Sequence, residues 1–322
     1  MSKEAPAPTI TSWVPVSVSL TYALGEFTLF SWEFSGRAHR QHFTTATVYS
    51  QLPDPPVDDD PTTDFFFYPV YPIAFTPEPV VSRGGWLLYT PYTFTNYYVD
   101  VERVGTFGAY LNGFSSKSRS TLQRKVKKFT AAGGGHLTWS SFTRVEDVER
   151  FLALAGAVSA KTYQERLLDV GLPRSSQFAA RAKALAASGE MLGYILFLND
   201  DAVAYMFCSC ADGIATYSYV GYDPKVRELS AGTVLQYLVL KSLFDEPRIR
   251  IFDFGEGEGA QKKFFATDGQ TCAKTYVFRR TPDRVARVHL HYRLNRFVAA
   301  TGHVLDSWGI KSRVRKFVRQ IG

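Results

Sequence analysis

The sequence predicts an α/β fold of two domains, each a mixed and mostly antiparallel sheet flanked by helices. Residues 13–50 alternate apolar and polar side chains in WVPVSVSL, FTLFSWEF and HFTTATVY, the period of half-buried antiparallel strands. From residue 106 the pattern becomes helical, and helices and strands then succeed one another to residue 280. Late in that run, RIRIFDFGEGEGAQKKFFA at 248–266 reads as a strand that enters a glycine-rich loop and then a short helix with two lysines.

Taken in order, the N-terminal strands are followed by 53–64 (PDPPVDDDPTTD), which proline and acid keep out of helix or central strand. The aromatic stretches 65–75 and 84–98 read as core, with a wall for a sugar or acyl substrate as the sharper alternative. Residues 107–114 form a short helical segment. Ser115 or Ser116 then caps SKSRSTLQRKVKKF, whose Leu122, Val126 and Phe129 share one face, and Gly133-Gly134-Gly135 ends it. A strand at 136–144, a helix at 145–162 opened by Glu146 and Asp147, and a helix at 175–187 follow. MLGYILFLN and AVAYMFCSC flank Asp200-Asp201 as a hairpin, and IATYSYVGY at 214–222 is a further strand. The small-residue loop 228–233 opens an apolar helix at 234–244, before the glycine-loop unit and a last strand at 272–280.

Composition bounds the function classes. With 322 residues, 45% hydrophobic and 15% aromatic, the chain has material for two cores and is not a disordered tail. No apolar run reaches a membrane span and MSKEAPAPTI lacks signal-peptide regions, so a cytoplasmic location is expected. Cys208, Cys210 and Cys272 form no CxxC pair and the six histidines show no zinc spacing, so neither disulfides nor a metal are expected. Cys208 and Cys210, alternate residues of an apolar stretch, read as buried neutral thiols.

The net charge of +7 is uneven: residues 279–322 carry +9 and residues 1–278 carry −2. A second basic block, Lys117, Arg119, Arg124, Lys125, Lys127 and Lys128, contains no acid. Such blocks mark a polyanionic surface or ligand: phosphates, nucleic acid or anionic lipid. In the tail, apolar residues interleaved with the basic ones suit the surface of an anionic membrane, against the plainer reading of a helix packed on the rest of the chain.

In the glycine loop, Asp253, Glu256, Glu258, Lys262 and Lys263 lie within one strand-loop-helix unit where glycines allow a ligand close to backbone. The plainer reading is a connector with solvated charges. The spacing GxGxG after a late strand does not fit a dinucleotide fingerprint, no Walker lysine is present, and Asp253-Phe254-Gly255 lacks the other kinase elements.

Three stretches together carry a resemblance: SSKSRSTLQRKVKKF at 115–129, GYDPKVRELSAGTVLQYL at 221–238 and DFGEGEGAQKKFF at 253–265. Their order and spacing resemble the GCN5-related N-acetyltransferase (GNAT) superfamily, in its CelD/BcsL-type and FemAB-like branch, over residues 107–280 and loosely over the N-terminal sheet. The resemblance implies tandem GNAT-like domains: an N-terminal half at 1–106, a catalytic domain at 107–280 and a basic tail at 281–322. It implies an N-acyltransferase with no permanently bound cofactor and acetyl-CoA or another acyl-CoA as co-substrate. The implied acceptor is an amine, an amino sugar of an envelope polysaccharide or its lipid-linked precursor. The alternatives are a FemAB-type aminoacyl-tRNA-dependent transferase, which would hold tRNA on the basic helix, and a non-catalytic nucleic-acid-binding protein.

A helix N-terminus offers free amides and partial positive charge, so Ser230, Ala231, Gly232 and Thr233 are the expected pyrophosphate site. Asp253 and Glu256 are the expected bases or orienting groups, and Tyr222, with Tyr217 and Tyr219 as rivals, the proton donor to the thiolate. Lys262, Lys263 and Glu258 are the expected acceptor-binding residues. Gln261 stands where the branch has Tyr before its lysine. A tail on the membrane would place the enzyme peripherally at the inner face, beside a lipid-linked acceptor.

Overall fold

The computed structural model describes residues 13–24, 27–39, 47–56, 63, 65–162 and 171–307. The elements begin with β1 (Trp13–Leu24), β2 (Phe27–His39), β3 (Phe65–Pro72), β4 (Val80–Arg83), β5 (Trp86–Tyr89) and β6 (Thr93–Asp100). They continue with α1 (Val101–Val104), α2 (Phe107–Asn112), α3 (Ser116–Ala132), β7 (Thr138–Phe142), α4 (Val148–Ser159) and α5 (Ser176–Ala187). The last are β8 (Met191–Leu198), β9 (Asp201–Ala211), β10 (Ile214–Tyr222), α6 (Ala231–Phe244), β11 (Ile251–Asp253), α7 (Ala260–Phe265), β12 (Asp268–Arg279) and α8 (Pro282–Ser307). The fold is mixed α/β with mostly antiparallel strands, and from α3 onward its order is the one the sequence predicts.

Local signals account for most boundaries. Ser115 Oγ accepts from Ser118 N at the start of α3, Gly133 ends that helix, and Ser175 Oγ accepts from Phe178 N at the start of α5. Asn199 and Asp200 take φ of +50° and +68°, the left-handed pair of a tight hairpin turn. The turn thus lies one residue earlier than expected, and Asp201 already belongs to β9. Residues 145–147 form a 3-10 turn before α4. Helix α6 begins at Ala231, so three of the four residues expected in a loop are its first turn. Of the strand expected at 42–49, residues 42–46 lie outside the described residues, and Tyr49 makes an isolated parallel bridge to Ile73. The expected loop at 53–64 lies partly outside them too.

The chain divides into two compact units, one of Met1–Phe94 with Thr271–Gly322 and one of Thr95–Gln270. The expected boundaries were 106/107 and 280/281, with the tail apart. Instead, residues 282–307 form α8, whose Val288 is fully buried with Leu20, Tyr22 and Tyr89 in the first unit's core; residues 308–322 lie outside the described residues. Apolar spacing at 285, 288 and 292 gives the helix a face to bury, and that burial outweighs the solvation of its arginines.

In the first unit β1–β2 is antiparallel, β2–β3 parallel, and β12 pairs antiparallel with both β3 and β5. Phe65, Phe66, Leu88 and Tyr89 are fully buried, so these aromatic stretches are core.

In the second unit the sheet order is β6-β11-β10-β9-β8-β7, antiparallel except for β10–β11. Alternate residues of β8 and β9 enter separate cores, as the pleat requires. Leu192, Tyr194, Met206 and Cys208 pack with Leu122 of α3 and Val234 and Leu238 of α6, whereas Ile195, Tyr205 and Phe207 pack with Phe151 of α4 and Phe178 of α5. Helices therefore cover both faces.

Candidate active site

The site is built where the only parallel pair in this unit's described sheet comes apart. β10 and β11 are paired over Ile214–Thr216 and Ile251–Asp253. The register of β10 on β9 then shifts between Tyr217 and Tyr219, so Ser218 is an extra residue and the strand bulges. Beyond the bulge β10 stays with β9 as far as Tyr222, while β11 ends at Asp253 and the chain turns away. The two strands thus part beyond Thr216 and Asp253, and the carboxyl ends of parting strands are the usual place for a ligand in an open α/β sheet.

Asp253 lies at the point where the two strands part. It is 3% exposed, and its Oδ1 accepts from Asn96 Nδ2 at 2.7 Å and from Gly255 N at 2.8 Å. Burial pushes its pKa up, opposed by those two donors and by the charge of Lys262. Gly255 and Gly257 have φ of +67° and +103°, which require glycine. A Cβ on Gly255 would meet the Tyr217 carbonyl at an ordinary 3.5 Å, so conformation and not space fixes that residue. Lys262 Nζ donates to the carbonyls of Gly255 at 3.2 Å and Glu256 at 2.7 Å. Its pKa is lowered by burial, against the charges of Asp253 and Glu256. Lys262, expected to bind the acceptor, here clamps the loop. Glu256, Glu258 and Lys263 present exposed side chains around it.

The far end of β10 is a different environment. Ser230 caps α6 in the left-handed region, at φ +56°; Thr233 N already donates to Ser230 O at 2.9 Å, so the amides of Ala231 and Gly232 are the ones left without an acceptor inside the helix. Two lysines of α3 reach this turn: Lys125 Nζ lies 3.4 Å from Thr233 Oγ1, and Lys128 Nζ donates to Glu228 O at 2.8 Å. Helix amides and a lysine beside one hydroxyl make a favourable seat for a phosphate. The Tyr222 ring adjoins it, since a Cβ on Gly232 would be 3.4 Å from Tyr222 Cδ1.

The expected residues therefore fall into two groups. Tyr222 lies six steps along the strand from Thr216, which pairs with Asp253, about 20 Å at roughly 3.3 Å per residue. Tyr222 is not brought to Asp253 but to Ser230, Ala231, Gly232 and Thr233. Tyr217 packs on Phe252 and Phe254, with burial raising its pKa, while Tyr219 packs on Phe178 and Phe207 across the sheet. The bulge at Ser218 separates these two tyrosines. Cys208 and Cys210 are buried thiols whose pKa values burial raises.

Asn96 and the placement of Lys125 escaped sequence reasoning. Asn96 lies in a stretch read only as aromatic core, and Lys125 was one of six equivalent cations. Among the described residues no three His, Cys, Asp or Glu are placed to hold a metal ion. A groove of about 370 Å³ between α4 and α5, lined by Leu152, Gly156, Leu172 and Arg174 among others, contains none of the expected residues.

Residues 116–263 match the family model described as Acetyltransferase (GNAT) domain. No curated protein matches the chain. Among solved structures it is similar to L-PGS from Bacillus licheniformis, 14% identical over 71% of this chain and 72% of that one, with a TM-score of 0.43. It is similar to FemX, 14% identical over 69% and 75%, with a TM-score of 0.44. A GCN5-related N-acetyltransferase from Kribbella flavida is 10% identical over 60% of each chain, with a TM-score of 0.33.

Proposed function

We propose, from the GNAT domain that residues 116–263 form, that the protein is an acyl-CoA-dependent N-acyltransferase acting on an amine. We take the acceptor to be an amino sugar of an envelope polysaccharide or its lipid-linked precursor. The observation that carries the reading is the parting of β10 from β11 inside the matched residues, with a different set of groups at each end. One end offers helix amides and Lys125 to phosphate, and the other, about 20 Å away along β10, offers a buried carboxylate under a glycine loop. A donor with a diphosphate at one end and a thioester at the other suits that separation. Tyr222 then belongs to the donor's phosphate end.

In the reaction the amine nitrogen attacks the thioester carbonyl carbon, the C–S bond breaks and CoA leaves as the thiolate. The nitrogen loses one proton. Asp253, whose raised pKa suits a proton acceptor, takes it through water, while Glu256 on the loop accepts a hydrogen bond from the neutral attacking amine. Asn96 and Lys262 hold the loop.

Calorimetry with acetyl-CoA, followed by thiol release in the presence of amino sugars, tests this. Binding and amine-dependent CoA release are expected; absence of acyl-CoA binding would overturn it. A second reading, an aminoacyl-tRNA donor, is favoured by the exposed Lys117, Arg124, Lys127 and Lys128 of α3, which make no ion pair among the described residues. Binding of charged tRNA in place of acyl-CoA would establish it.

A further inference from the structure

Helix α8 combines a buried face with an outer face that is cationic apart from Asp283 at its start. Val288 and His291 are buried, and Val285, Tyr292 and Leu294 pack beside them. Between Asp283 and Asp306 the sequence has no acid, but it has Arg284, Arg287, Arg293 and Arg296. Asp283 itself pairs with Arg287 at 2.9 Å. On the outer face Leu290 is 51% exposed and Phe297 59%. Seven residues apart, they lie on one stripe, with exposed Arg293 and Arg296 between them.

The hairpin of β1 and β2 packs against α8 and exposes apolar residues of its own. Its Leu29 is 55% exposed and its Phe30 45%. Phe30 stacks on Tyr22 at 4.1 Å, and Tyr22 in turn donates its hydroxyl to the Arg287 carbonyl and meets the His291 ring edge-on at 5.0 Å. Two elements distant in sequence are thus joined at a place where both expose large apolar side chains.

Single exposed apolar residues are ordinary. Leucine and phenylalanine on a helix face whose one described acid, Asp283, is already paired with Arg287 are not, because neither water nor a nucleic acid gains from leucine. The edge of a lipid bilayer accepts both groups, guanidinium at the lipid phosphates and Leu and Phe at the acyl boundary. No described helix is long and apolar enough to cross a membrane, so the helix would lie in the interface. We propose that the outer face of α8 and the β1–β2 hairpin dock on an anionic bilayer surface. This stands apart from acyl transfer.

The test uses the full chain in flotation with vesicles of phosphatidylcholine alone, or with roughly a third phosphatidylglycerol. Binding to the anionic vesicles only is expected. In the double variant Leu290→Ser with Phe297→Ser, binding should fall roughly tenfold or more, with the melting temperature kept. A separate Leu290→Cys variant carrying an environment-sensitive fluorophore should shift to the blue on those vesicles. Undiminished binding by the double variant, or no vesicle binding by the wild type, overturns the proposal. Capture of tRNA without vesicle binding also overturns it and gives the cationic face to nucleic acid.

Discussion

Asn96 Nδ2 lies 2.7 Å from Asp253 Oδ1, and the same amide's Oδ1 meets no donor among the described residues. The two residues are 157 positions apart, on β6 and β11, which pair so that Tyr98 stands opposite Asp253. One buried amide therefore favours the ionised carboxylate, while burial itself opposes it.

Asp253→Asn keeps the shape of this network and removes its charge. Turnover should fall by about two to four orders of magnitude. The folded pKa of Asp253 is raised, so its contribution to stability is present below the unfolded value of about 4 and is lost as pH rises toward the folded value. The asparagine variant escapes that loss. Its melting temperature relative to wild type should increase from pH 4 to pH 8, and a constant difference would contradict the ionisation.

Asn96→Ala removes a donor that stabilises the carboxylate. The acidic limb of the kcat/KM profile should move to higher pH, and stability should fall by about 1–3 kcal/mol. An unmoved limb with the same stability loss would make Asn96 a packing residue only.

Lys125→Ala should raise KM for acyl-CoA roughly five- to tenfold and leave kcat almost unchanged, since Lys125 adjoins the phosphate end and not the reacting one. Lys127→Ala, on the exposed side of α3, is the control. Equal effects in steady-state kinetics would mean that only the general charge of the helix matters.

Glycines of the loop should differ from one another. Gly255→Ala, at φ +67°, should cost about 1–2 kcal/mol, whereas Gly259→Ala, at an extended φ of −163°, should be near neutral. Lys262→Ala, which releases the clamp on Gly255 and Glu256, should speed amide hydrogen exchange across residues 254–259. Chemical denaturation and exchange mass spectrometry measure the two effects.

What was legible in the sequence was local. Apolar period, capping serines and glycine stops placed every element from α3 to β12 in order, because each depends on neighbours a few residues away. Pairing over long distance was not legible. The bulge at Ser218 depends on the register of β10 against β9, and it decides that Tyr217 and Tyr219 part company and that Tyr222 is remote from Asp253. Asn96 became a partner of Asp253 only through the β6–β11 ladder. The helical period at 282–307 could show an apolar stripe, but whether that stripe meets protein or lipid is a tertiary fact: Val288 is buried and Leu290 is not.

The two units also differ in when they can be completed during synthesis. The unit of Thr95–Gln270 is one continuous stretch, and nothing it pairs with internally is translated later than its own end. The first unit is made from both ends of the chain, and β12, which joins β3 to β5, is among the last of its parts to leave the ribosome. Until then β1, β2 and β3 wait without the strand that closes their sheet, for a time set by the translation of about 200 residues at 5–20 per second. Nascent chains of this protein therefore carry an open, aromatic-rich sheet edge for roughly ten to forty seconds, and that interval is when a holding chaperone would have most to do.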